Sequence, residues 1–262
     1  MLASTTRTFG VGIAGPRAAG GVPVLECRGV SAPRASERRR GPLIAWLVFV
    51  GFLVLVGYAA RLSGTETPDN LAYKWSSSLA ALIQYWLFLV VILAIALVSK
   101  LELRAAFALR RPASWPRALG LALLCLVVIY LASFAYERLL SLFGDWSPTD
   151  EQGLVPDGWD SSRAAPFVAF FLVVTLLAPA VEELTYRGLG IFLLQPWGAR
   201  LAILATGVLF GAAHGLVYGF PILAFFGIVV GWLRVRTDSI YPGIALHATF
   251  NGIALIASVS AG

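Results

Sequence analysis

"APAVEELTYRGLG", residues 178–190, closes an apolar run that begins near Pro166. Two adjacent glutamates, Glu182 and Glu183, and then Arg187 stand where a membrane-length segment would otherwise continue. A charge at that depth is costly, and such groups face a bundle interior or a water-filled cavity rather than lipid. Whether this stretch is a surface turn or the inside of a helix decides how the chain is built.

Composition narrows the choice. The 262 residues are 58% hydrophobic and only 13% charged, against about 25% charged in a soluble domain. The chain reads as an integral, all-α membrane protein, a polytopic bundle of seven or eight transmembrane helices. A helix needs roughly 20 apolar residues to cross a bilayer. The runs that qualify are Leu43–Ala60, Leu79–Ser99, Ala118–Tyr136, Pro166–Val181 leading into the charged motif, Leu201–Gly219, Phe220–Val235 and Ile240–Val259. Leu189–Trp197 makes an eighth if it is an element of its own.

The net charge of +6 does not mark a nucleic-acid surface. Residues 1–40 hold seven Arg and two Glu, hence +5; the other 222 residues hold 13 Lys and Arg and 12 Asp and Glu, hence +1. Basicity therefore belongs to a Gly-, Ala-, Ser-, Pro- and Arg-rich N-terminal stretch, 1–40, without helical or strand period, read as a disordered tail. An organelle transit peptide has the same composition and stays open as an alternative. Residues 41–262 form the transmembrane domain. Basic residues are richer in alternate loops, with Arg38, Arg39 and Arg40 before the first span and six acids in the 137–165 loop. That alternation predicts a cytoplasmic N-terminus and an external 137–165 loop. Two cysteines, Cys27 and Cys125, make neither a disulfide framework nor a thiolate metal site.

Three polar groups interrupt the later spans: Glu182-Glu183-x-x-x-Arg187, Phe210-x-x-x-His214 and His247-x-x-x-Asn251. His214 and His247 are the only histidines. Helical geometry pairs Glu183 with Arg187 at i,i+4 and points Glu182 to another side. Glu183–Arg187 is then a neutralised supporting pair, and Glu182 the free carboxylate placed to act as general base. His214 would help hold or deprotonate a water, and His247 with Asn251 would donate to a polarised carbonyl. One difficulty follows. Glu182 lies about 24 Å along a helix begun at Pro166, whereas His214 lies about 20 Å from the opposite face. A fourth helix that starts near Ser162 and bends at Pro179 would narrow that gap.

At these motifs the sequence resembles the CPBP family, the CAAX-protease and bacteriocin-processing membrane proteins, also called type II CAAX prenyl endopeptidase-like. The resemblance covers about 165–259 and rests on the ordered EExxxR, FxxxH and HxxxN signatures. It implies a membrane-embedded endopeptidase, with Glu182 and His214 activating water, His247 and Asn251 stabilising the oxyanion, and Glu183 and Arg187 in support. The implied partners are a peptide or membrane-protein substrate and the lipid bilayer, with no nucleic acid. CAAX-like processing, or maturation and immunity of bacterial peptides, are the implied functions, and a bacterial cell membrane the implied location. A catalytic zinc takes three protein ligands. Here it would consume Glu182, His214 and His247, so a glutamate-type mechanism with no cofactor is favoured over a zinc metalloprotease. A non-catalytic scaffold or immunity protein, or a proton-coupled transporter, uses the same kinds of residue.

Overall fold

In hydrocarbon a chain must satisfy its own N–H and C=O groups, and apolar runs of this length do so as helices. The computed structural model describes residues 32–63, 70–144 and 158–260, and among these there is no strand. Among the described residues seven apolar helices follow one another: α1 (Ala32–Leu62), α2 (Trp75–Val98), α3 (Trp115–Leu140), α4 (Ser161–Trp197), α5 (Ala199–Ala213), α6 (Phe220–Thr237) and α7 (Tyr241–Ser260). All but α5 are long and apolar enough to cross a membrane. The protein is a polytopic integral membrane protein.

Three expectations shift. Helix α1 begins at Ala32, inside the stretch expected to be tail; residues 1–31, with Cys27, lie outside the described residues. The fifth helix ends at Ala213 rather than running to Gly219, because Gly215, at φ 65°, turns the chain out of the helix. Leu189–Trp197 is no separate element; α4 runs through the charged motif as one rod of 37 residues. Most of the acidic loop, 145–157, also lies outside the described residues. Its descending end is fixed: the Tyr73 hydroxyl donates to Gly158 O at 2.7 Å and accepts from Asp160 N at 3.0 Å. Asp160 then caps α4 by accepting from Ser162 N at 2.9 Å. Hydrogen bonds from Ser162, and then from Arg163, hold its carboxyl down to about 2.

The continuity of α4 removes the depth difficulty. Glu182 lies 15 residues before Trp197, and His214 lies 15 residues after Ala199. At about 1.5 Å per residue both sit about 22 Å from the same tight turn between α4 and α5. The motif is mid-helix, not at a helix end.

Helices in lipid gain little by hiding apolar surface from one another, so close packing depends on small residues. Gly207-x-x-x-Gly211 supplies them on α5. A Cβ on Gly207 would come within 2.7 Å of Ile228 N, and one on Gly211 within 2.6 Å of Ala224 N. Backbone against backbone, α5 and α6 hold Phe210 and Phe226 stacked, with ring centroids 5.6 Å apart. Gly211→Ala should force α6 away and lower stability by about 1–3 kcal/mol. Gly120→Ala, where nothing lies within 4 Å, should not lower the thermal midpoint in detergent.

Candidate active site

Two wide π-helical turns, Val173–Leu177 and Leu184–Gly190, flank a short α-helical stretch, Ala178–Glu183, in the middle of α4. Such turns bond i to i+5 and recur at functional sites. They also leave carbonyl oxygens open to donors from neighbouring helices. Trp46 Nε1 on α1 donates to Thr185 O at 2.9 Å, and Arg234 Nε on α6 donates to Arg187 O at 3.1 Å. In the first turn the cause is local. Pro179 has no N–H to offer, and five residues earlier Val174 O accepts from Asn251 Nδ2 on α7 at 3.0 Å.

This scaffold turns Glu183 fully inward. Its side chain and that of Arg187 are both 0% exposed, and Arg187 Nη1 lies 2.9 Å from Glu183 Oε1. The same oxygen faces His247 Nδ1 at 3.0 Å. An ionised carboxylate only accepts, so Nδ1 carries the proton in that bond. Arg187 reaches further, with Nη2 donating to Gly227 O at 3.2 Å and the guanidinium 4.3 Å above the Phe210 ring. The second oxygen, Glu183 Oε2, is buried without a hydrogen-bond partner. Gly243 packs beside it without a side chain: a Cβ there would lie 3.1 Å from Oε2, a tight contact.

Glu182 does not face away, as single-helix geometry had it. Its Oε2 lies 3.6 Å from His247 Nε2, and its side chain is 14% exposed. Adjacent residues on one helix therefore address opposite nitrogens of one imidazole on another. The remaining oxygen, Glu182 Oε1, accepts from the Tyr85 hydroxyl on α2 at 2.6 Å. Sequence reasoning missed Tyr85. The available signal was a hydroxyl within a hydrophobic span, muted because tyrosine is common at membrane interfaces.

Phe210 joins the remaining parts. Fully buried, its ring meets His214 at 4.8 Å, Tyr186 at 5.4 Å and His247 at 5.7 Å between centroids. The two histidines thus pack on one aromatic ring. His214 is exposed on the protein surface, and its Nδ1 lies 2.8 Å from Phe210 O. That bond fixes Nδ1 as the donor and leaves Nε2 as the free ring nitrogen. Asn251 spends one N–H on Val174 O, so a single amide proton remains for any other acceptor.

The zinc alternative needs Glu182, His214 and His247 at one point. Among the described residues no three His, Cys, Asp or Glu side chains gather closely enough to hold a metal ion.

Residues 164–253 match the family model of the type II CAAX prenyl endopeptidase Rce1-like proteins, about a third of the chain. All seven motif residues from Glu182 to Asn251 fall within that segment, and Tyr85 lies outside it. No curated protein and no solved structure gave a match.

Glu183 and Glu182 should respond differently to neutralisation. Glu183→Gln leaves a fully buried guanidinium without its counter-charge, and breaking such a pair costs about 3–5 kcal/mol. Glu182→Gln should keep the fold. Thermal unfolding of both variants in detergent checks this, and a midpoint lowered only in Glu183→Gln is the expected outcome.

Proposed function

From the Rce1-like segment 164–253, we propose that the protein is an intramembrane endopeptidase that hydrolyses a peptide bond with water activated by Glu182 and His214. The observation that supports it best is the imidazole of His247 addressed on its two nitrogens by Glu183 and Glu182. One carboxylate is neutralised and structural, the other is partly open and free to take a proton.

Glu182 Oε2 removes a proton from water, helped by the free nitrogen of His214, and the resulting hydroxide attacks the scissile carbonyl. In the neutral ring His247 Nε2 is the free lone pair, because Nδ1–H is committed to Glu183. A proton taken onto Glu182 Oε2 faces that nitrogen across 3.6 Å. Passed to Nε2, it becomes a donor aimed at the developing oxyanion, with the second N–H of Asn251 as its companion. As the tetrahedral intermediate collapses, Nε2 returns that proton to Glu182, whose acid form delivers it to the leaving nitrogen, so imidazole and carboxylate are both restored when the C–N bond breaks. Arg187 stays out of the chemistry. It pairs with Glu183, and Glu183 keeps His247 in the tautomer that this sequence requires.

The substrate is a peptide or membrane protein presented within the bilayer, by CAAX-like processing or maturation of bacterial peptides. The chain would reside in a bacterial cell membrane with its N-terminus in the cytoplasm. Then α4 starts on the external side, and a cysteine at Ser161 should be labelled by an impermeant maleimide added to intact cells. Labelling only after permeabilisation reverses the orientation.

Loss of the base is the decisive test. With purified protein and a quenched-fluorescence peptide carrying a C-terminal CAAX sequence, Glu182→Gln should lower turnover by about 10²–10⁴ with the thermal midpoint unchanged. Retained cleavage would sink the mechanism. Normal folding without cleavage by the wild type would favour a non-catalytic scaffold or a proton-coupled transporter.

A further inference from the structure

We propose that Tyr85 on α2 is the positioning residue of the site: its phenol fixes the Glu182 carboxylate so that Oε2 alone is presented to water and His247. The importance of this for turnover rests on the hydrolysis proposed above; the positioning itself does not.

The geometry is specific. An O–H to carboxylate bond of 2.5–2.7 Å is the short, charge-assisted kind, and Tyr85 Oη to Glu182 Oε1 is 2.6 Å. A carboxylate swings about its last bond when only one oxygen is engaged, and 3.6 Å from Oε2 to His247 Nε2 is too long for a direct hydrogen bond to hold it. Among the described residues, Tyr85 is the hydrogen-bond donor that locks Glu182 in place. Its own ring is braced in turn: Tyr85 meets Phe88 edge-on at 5.8 Å, and Phe88 meets Phe49 on α1 at 5.4 Å. The outward face of α2, with Leu79, Ile83, Trp86, Leu87 and Val90, is exposed as lipid-facing surface. Tyr85 is therefore where an otherwise lipid-lining helix enters the site, and the part of the chain before residue 164 contributes to it.

Tyr85→Phe keeps the ring and removes the donor. Because hydrogen bonds to charged groups are among the stronger ones, kcat should fall about 10- to 100-fold while KM stays within about twofold and the thermal midpoint is unchanged. Tyr130→Phe is the control, since its hydroxyl contacts only Phe250 O on α7, at 3.4 Å; it should change none of these. Infrared difference spectra give a readout that needs no substrate. The carboxyl band identified by its loss in Glu182→Gln should shift in Tyr85→Phe and not in Tyr130→Phe. Should Tyr85→Phe fail to fold, the reciprocal measurement serves: the phenol C–O band of Tyr85 should shift in Glu182→Gln. An unshifted band in either direction, or wild-type kcat in Tyr85→Phe, overturns the proposal. A shifted band in a protein that cleaves no peptide supports the positioning and overturns the hydrolysis.

Discussion

A carboxylate with no exposed surface must be answered by positive charge and hydrogen bonds, or the helix that carries it will not stay in the membrane. Glu183 meets that demand from two directions, Arg187 one turn along its own helix and His247 across on α7. Much of the surrounding structure follows from keeping this cluster dry. Phe210 covers the guanidinium, Gly227 lends a carbonyl to it, and Gly243 leaves space beside Glu183 Oε2. The Gly207–Gly211 contact with α6 then serves a purpose beyond helix association: it brings Phe226 and Gly227 close enough to seal the cluster. Charge burial, aromatic packing and backbone approach are one arrangement here.

The cluster also separates two carboxylates that share a neighbour in sequence. Glu183 is consumed in holding the helices together, and Glu182 is left at the edge with partial access. A site that must both survive in lipid and exchange protons with water needs these two conditions in adjoining positions. Consecutive residues on one helix, about 100° apart, provide them when a single imidazole is long enough to touch both.

How much of this was legible in the sequence depends on whether local geometry sufficed. The helical bundle was, because long apolar runs allow little else. The Glu183–Arg187 pair was, because i,i+4 spacing fixes it within one helix. The direction of Glu182 was not, since which neighbour it meets depends on α2 and α7. Nor was the extent of α4: Glu182, Glu183 and Arg187 look like the end of an apolar run, and only burial by five other helices lets the rod continue to Trp197. Tyr85 lay outside every motif and was found only through its contact. The role of Asn251 also reads differently once the backbone is seen, for one of its protons answers the carbonyl that Pro179 leaves open. Cys27 and most of the acidic loop lie outside the described residues.

The π-helical turns of α4 have a consequence in the currency of chain length. Each holds one residue more than an α-helical turn would, so the segments before, between and after them are rotated out of the phase a plain helix would impose. Removing one residue from Val173–Leu177 would change the apolar content of the span hardly at all, and it would leave an ordinary α-helical turn. Phe167 and Phe170, packed inward now, would keep their phase against Glu182 and Glu183. Removing one from a helix without such a turn, as in α7, would instead turn everything on one side of the cut by about 100° relative to the other. The π-turns thus let the orientation of the carboxylates of α4 survive a change of one residue in its length.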